Sequence, residues 1–354
     1  MSRPVGSRPR GAVPPAVWAA LGAVYVVWGT TYLAIRVVNE TLPALTAAGV
    51  RFLLAGAALY AWAVRRGDPE SDRPRPEHWR SAAIVGLGLI VGGNGNLVLA
   101  ERTIPSGIAS LIIALVPLWM ALVDRVLLRR RHGWATVAGL VLGFAGAALL
   151  IDGASGRSAP LSGLLVAVAA SVCWTFGSLY SRSARLPARP LVGAGMEMMI
   201  GGAGLIALGI VRGELALVRP EAFSARSLLA LAYLVVIGSW VGFTCYVWLL
   251  RNARTSLVST YAYVNPVVAV FLGWLILGES ITVRTLLAGA VIVASVALIV
   301  AAGTRGATGD EAAPASGAHE LGYGVEGELA LEGVRDPEQQ LLAEDGSGEL
   351  EADG

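Results

Sequence analysis

One apolar stretch is written twice in this chain, each time with a proline near its middle. RTIPSGIASLIIALVPLWMALVDRVLL runs from Arg102 to Leu128, and RNARTSLVSTYAYVNPVVAVFLGWLIL runs from Arg251 to Leu277. With the leading arginines aligned, Pro117 falls on Pro266. Each copy holds about 20 apolar residues, which at a rise of about 1.5 Å matches the hydrocarbon core of a bilayer. An interior proline removes one hydrogen bond and crowds the carbonyl four residues before it, a defect that a soluble helix of this length rarely tolerates. In lipid, neighbouring helices and local water re-satisfy the freed carbonyls, here those of Ile113 and Ala262. Two interrupted apolar segments at matching places in two halves point to the central site of a transporter.

Composition agrees. The chain is 55% apolar and 15% charged, against about 45–50% and about 25% in soluble globular proteins, so it reads as an integral membrane protein. Thirteen of its 25 acidic residues follow Gly303, facing only Arg305 and Arg335. The first 303 residues therefore hold 25 arginines and 12 acids, an excess that the formal net charge of +2 conceals. That excess sits in short loops, where it orients helices rather than binding nucleic acid. Cys173 and Cys245 fall inside apolar segments without metal-site or disulfide spacing, and read as small packing residues. His78, His132 and His319 fall in loops or tail, so no His-based triad or metal site is expected in the bundle, and no cofactor is implied. No GxxxxGK[ST] loop is present to bind ATP. The chain is not read as an enzyme.

Ten spans of roughly 18–23 residues can be marked, near 16–35, 44–64, 81–100, 106–127, 134–151, 161–181, 191–211, 227–248, 256–277 and 284–302. The fold expected is all-α: ten transmembrane helices in two five-helix repeats, 16–152 and 160–303, flanked by a short tail over 1–15 and an acidic, low-complexity tail over 304–354 that reads as disordered. Placing the amino terminus in the cytoplasm puts 17 arginines on that side and 7 on the other, which makes both termini cytoplasmic by the positive-inside rule, in the plasma (inner) membrane. The repeat extends beyond the proline segments. VVWGTTYLAIR in span one answers SVCWTFGSLYSR in span six, with Trp28 on Trp174, and RFLLAG from Arg51 answers EMMIGG from Glu197. Five spans is an odd number, so the second repeat must be inverted relative to the first.

With these strings on the page, and with IPSGIASLIIALVPLWMAL and the run ending at Gly278–Glu279, residues 14–303 resemble the EamA family of the drug/metabolite transporter superfamily, and within it the YedA-like exporters. The resemblance implies a secondary carrier that exports small organic compounds such as amino acids, metabolites or drugs by alternating access, with helices one, three, four, six, eight and nine around a midplane cavity. One departure stands out: the first-half helix often closes with Gly-Glu in this family, whereas this chain has Arg129–Arg130.

Polar and aromatic groups at bilayer depth usually face a cavity or one another. Asn94 and Asn96, in GGNGN, read either as cavity hydrogen-bond groups or as amides joining helices at a glycine-lined contact. Tyr261 and Asn265, four apart before Pro266, share a face suited to a substrate with planar and polar parts, or to packing of the kink. Trp28, Thr31 and Tyr32 in span one, with Trp119, Trp174 and Tyr180, read as cavity walls or as core and lipid-facing aromatics. Glu197 is a possible proton-coupling acid, while it and Arg51 can also snorkel to an interface. The partners expected are a small-molecule substrate and the bilayer, as monomer or homodimer. A channel or scramblase, and a scaffold using the acidic tail, are the rivals from other classes.

Overall fold

The computed structural model describes residues 14–66, 74–126, 133–154, 159–253, 255–258 and 260–310. The tail over 1–13, the Arg129–Arg130 pair and residues 311–354 lie outside them. The helices are α1 (Pro15–Val38), α2 (Ala44–Arg65), α3 (Pro76–Ala100), α4 (Ser106–Ile113 and Val116–Val126), α5 (Trp134–Ala154), α6 (Leu161–Ser181), α7 (Pro190–Val211), α8 (Ala225–Leu249), α9 (Tyr261–Leu277) and α10 (Val283–Asp310). Eight are long and apolar enough to cross a membrane, and the apolar stretches Trp134–Leu150 and Tyr261–Leu277 are shorter. α10 stays helical to Asp310, past the change of composition at Gly303.

The two proline segments differ in how they break. α4 stops at Ile113, passes through Ala114 and Leu115, and resumes at Val116. That is the turn whose hydrogen bond Pro117 removes. α9, by contrast, runs unbroken through the buried Pro266. The expectation of a break at Pro266 is therefore corrected. Upstream of α9 the described residues hold a single helical turn at Thr255–Val258, with Thr260 in a turn just before Tyr261. A proline in the second turn of α9 leaves only Ala262 without its partner, which the helix absorbs.

Helix pairing repeats with a step of five. α2 packs along α7 and α5 along α10; α3 meets α6 as α8 meets α1; α1 lies on α9 as α6 lies on α4. Both α3 and α8 carry a wide π-type turn, at Leu87–Gly95 and Leu234–Val241. Close approach rests on glycine. A Cβ on Gly202 of α7 would lie 2.5 Å from the Leu53 amide nitrogen and 2.8 Å from the Gly49 carbonyl of α2. Without a hydrophobic force between helices in lipid, such backbone contact is what holds α2 to α7.

Alternation along the chain gathers the 39–43, 101–105, 212–224 and 278–282 connectors at one end. There two carboxylates of the second half cap helices of the first. Glu214 accepts from the Leu45 and Thr46 amides at 3.1 and 2.8 Å at the start of α2. Glu279 accepts from the Ser106 and Gly107 amides at 2.8 and 3.2 Å at the start of α4. Gly278, at φ 66°, turns the chain back to bring Glu279 there, and a side chain on Gly273 would collide with its carboxylate. A negative charge on free amides at a helix start is favourable through both hydrogen bonds and the helix dipole.

Gly202→Val should destabilise the chain by about 1–3 kcal/mol, because the clash is with backbone that cannot turn aside. Gly22→Ala, with no atom within 4 Å of the added methyl, should leave the melting curve in detergent unchanged.

Candidate functional site

WGTTYLAIR on α1 presents consecutive side chains to α8, α9 and the 101–105 connector. Trp28 meets Phe243 and Tyr246 of α8 at ring-centre distances of 5.8 and 5.1 Å, and Tyr261 of α9 at 5.2 Å. Tyr246 and Tyr261 close the cluster at 5.7 Å. Edge-to-face pairs at these spacings are favourable beyond their buried area. Tyr25 and Thr260 share a hydrogen bond just below the cluster. Asn265, one turn along α9 from Tyr261, is 7% exposed, and its Oδ1 has no hydrogen-bond partner among the described residues. Its backbone carbonyl and the Val268 side chain lie against Gly29 of α1. Trp28, Tyr261 and Asn265 are thus brought together in one seam.

A second cluster forms between α3, α4, α5 and α6. Trp119 donates from Nε1 to Ser171 Oγ at 2.9 Å and packs on Phe144 at 4.9 Å. Trp174, three residues after Ser171, lies on Gly93, where a Cβ would sit 2.8 Å from Cε3. Its counterpart is Trp28, which lies on Gly242, where a Cβ would sit 2.6 Å from Nε1. Gly93 and Gly242 are 149 residues apart, the same offset as Pro117 and Pro266. Each half therefore seats its tryptophan on a glycine of the other half.

The glycine-flanked asparagines serve their own helix. Asn94 Nδ2 donates to the Leu89 carbonyl at 3.4 Å, and Asn96 Nδ2 to the Gly92 carbonyl at 2.7 Å. The π-type turn of α3 frees carbonyls, and these amides fill them. Thr31 Oγ1 bonds the Trp28 carbonyl at 2.6 Å while its methyl faces Gly238. Tyr180 is exposed on the outer surface of α6. Glu197 lies half-buried on α7, where Gly86 of α3 packs on its backbone. It belongs to neither aromatic cluster.

Two charged residues turn inward at the capped end. Arg51, far from reaching an interface, is 5% exposed. Its Nε donates to Ser239 Oγ of α8 at 3.0 Å, and its guanidinium stacks on Phe52 at 4.6 Å. Glu101, in the connector between α3 and α4, is fully buried, and neither carboxyl oxygen has a hydrogen-bond partner among the described residues. Arg36 donates instead to its backbone carbonyl. Burial pushes the Glu101 carboxyl well above the usual range; Glu279 adds to the push, and Arg36 and Arg51 oppose it. The span count passes over this residue because it lies just beyond an apolar helix. Its one signal is an acid set directly after Leu97–Ala100 with no polar spacer.

The chain matches the EamA-like transporter family over residues 14–152 and again over 161–301. It is 37% identical over 286 residues to the uncharacterized inner membrane transporter YedA of Escherichia coli (strain K12), covering 80% of this chain and 90% of that one. A WAT1-related chloroplastic protein of Arabidopsis thaliana is 27% identical over 296 residues, covering 80% and 69%. One solved structure, titled only as the crystal structure of a protein, aligns with a TM-score of 0.56 at 24% identity, covering 81% of this chain and 98% of that one. At that identity it speaks for the fold alone.

Gly93→Ala and Gly242→Ala should each unseat the facing tryptophan. The expected outcome is a loss of about 1–3 kcal/mol together with a shifted tryptophan emission, the second mutation acting through Trp28 and the first through Trp174. Emission unchanged in Trp28→Phe, Gly242→Ala relative to Trp28→Phe alone checks the assignment.

Proposed function

Because this chain belongs to the EamA-like transporter family and so is a membrane transporter, we propose that it exports small organic solutes by secondary active alternating access. Two inverted five-helix units, all ten helices spanning the inner membrane with both termini cytoplasmic, rock about a cavity between them. The reciprocal seating of Trp28 on Gly242 and Trp174 on Gly93 is the observation that carries this reading. Such a contact is the same surface used twice, as in a two-fold interface. Helix pairing that repeats with a step of five, and π-type turns in both α3 and α8, support the same arrangement.

The α1–α9 seam is the favoured substrate wall. Asn265 offers a buried acceptor without a donor among the described residues, and Trp28 and Tyr261 offer aromatic surface along the same seam. That combination suits a solute with a planar or apolar body and one hydrogen-bond donor. Pro117 and Pro266 mark the mobile walls, α4 and α9. Trp119, Trp174, Asn94, Asn96, Thr31 and Tyr32 complete the candidate lining, and Glu197 remains a candidate for ion coupling on the α7 side.

Reconstituted in liposomes, the purified chain should give saturable, competitor-sensitive counterflow of compounds that accumulate in cells lacking it. Conductance or lipid movement in place of saturable flux contradicts the proposal. Asn265→Ala should reduce flux about tenfold, the size expected for one buried hydrogen bond, and cross-linking α4 to α9 at either end should abolish it.

A further inference from the structure

Glu101 stands at a junction that neither the family nor the aromatic seam accounts for. Its carboxyl is sealed in the turn that joins α3 to α4, at the end held by the Glu214 and Glu279 caps. An ionised carboxylate in that position, without a donor, is expensive to bury. The groups that face it are Tyr32 and Arg36 from α1, Arg51 from α2 and Glu279 from the α9–α10 connector. Tyr233 of α8 lies beside Arg51, and Arg102, next in the chain, points to solvent. The first turns of α4 and α6 carry no titratable residue.

Both arginines direct donors to other acceptors. Arg36 holds the Glu101 backbone carbonyl. Arg51 reaches across to Ser239 and so ties α2 to α8. A small gap between α1, α2, α3 and α8 is lined by Ile35, Val98, Leu234 and Arg51 itself.

We propose that Glu101 is a proton-binding site that gates this end of the carrier: protonated, it lets Arg51 hold α8 through Ser239, and ionised, it draws Arg51 and Arg36 to itself and frees α8. The proton leaves the carboxyl for water as the end opens, and returns as it closes. Glu279 is already satisfied by the α4 amides, and it opposes ionisation of its neighbour. A carboxyl that titrates high in the closed state favours that state fully below the ordinary carboxylate range, and the preference is lost as pH rises through the raised value. The closed end is therefore the low-pH form.

The link to flux rests on the carrier reading above; protonation and opening do not. In the full chain with Cys173→Ser and Cys245→Ser, Val98→Cys places a reporter in the gap. The rate of alkylation by a membrane-impermeant maleimide, taken at each pH relative to that of a fully exposed cysteine because the thiolate is the reacting species, should be low at low pH and rise with pH, by up to about tenfold per pH unit for one linked proton. Glu101→Gln should hold the rate low at every pH and remove the infrared C=O stretch of a buried protonated carboxyl. Should that variant fail to insert, the pH response of the Glu101 chain decides alone. A rate that is flat with pH, or that rises as pH falls, overturns the proposal, as does an infrared band that Glu101→Gln leaves in place. Alkylation that follows pH in a chain without saturable flux would sink the carrier reading and leave this site standing.

Discussion

The arrangement depends on two tryptophans that fit only because glycine faces them. Trp28 and Trp174 each need a neighbouring helix close enough that even a methyl group would collide, and Gly242 and Gly93 allow it. In lipid, helices gain little from hiding apolar surface against each other, so contact must come from shape. Large rings set against bare backbone give that contact. Because each ring belongs to one half and its seat to the other, neither half completes its packing alone.

The same cross-half logic appears in the polar contacts, through carboxylates at one end and, at the other, through Arg185 on Glu77 and Arg189 on the Ala63 carbonyl. Glu214 and Glu279 come from the second repeat and close amides that open two helices of the first. By the alignment that sets Pro117 on Pro266, Arg130 occupies the place of Glu279. A cation is disfavoured at a helix start by the helix dipole, so the sequence offers no carboxylate at the position aligned with Glu279. The proposed proton site lies at the end that Glu214 and Glu279 cap, where releasing Arg51 from Ser239 would have mechanical effect.

Much of this was legible in the sequence. Span positions follow from apolar length alone, and all ten marked stretches contain helix. The offset that pairs the prolines also pairs Gly93 with Gly242, so the tryptophan seats were within reach of a residue-by-residue comparison of the halves. What periodicity could not supply was the response of each helix to its proline. α4 yields at Ala114–Leu115, whereas α9, with its proline in the second turn, runs through Pro266. The hydrogen bonds that Asn94 and Asn96 give to their own helix were not legible, because a π-type turn, which creates acceptors inside the helix, leaves no periodic trace. Arg51 and Glu101 were hidden for a related reason. Charge near a helix end ordinarily reads as solvated, and only the packed neighbours reveal that it is sealed in.

The proposed inversion can be read directly by labelling equivalent connectors in intact cells. In a chain with Cys173→Ser and Cys245→Ser, a cysteine replacing Glu40, after α1, should react with an impermeant maleimide added outside. A cysteine replacing Ser183, after α6, should react only once the cells are opened. Reaction of both from the same side would contradict the inverted pair of repeats on which the account rests.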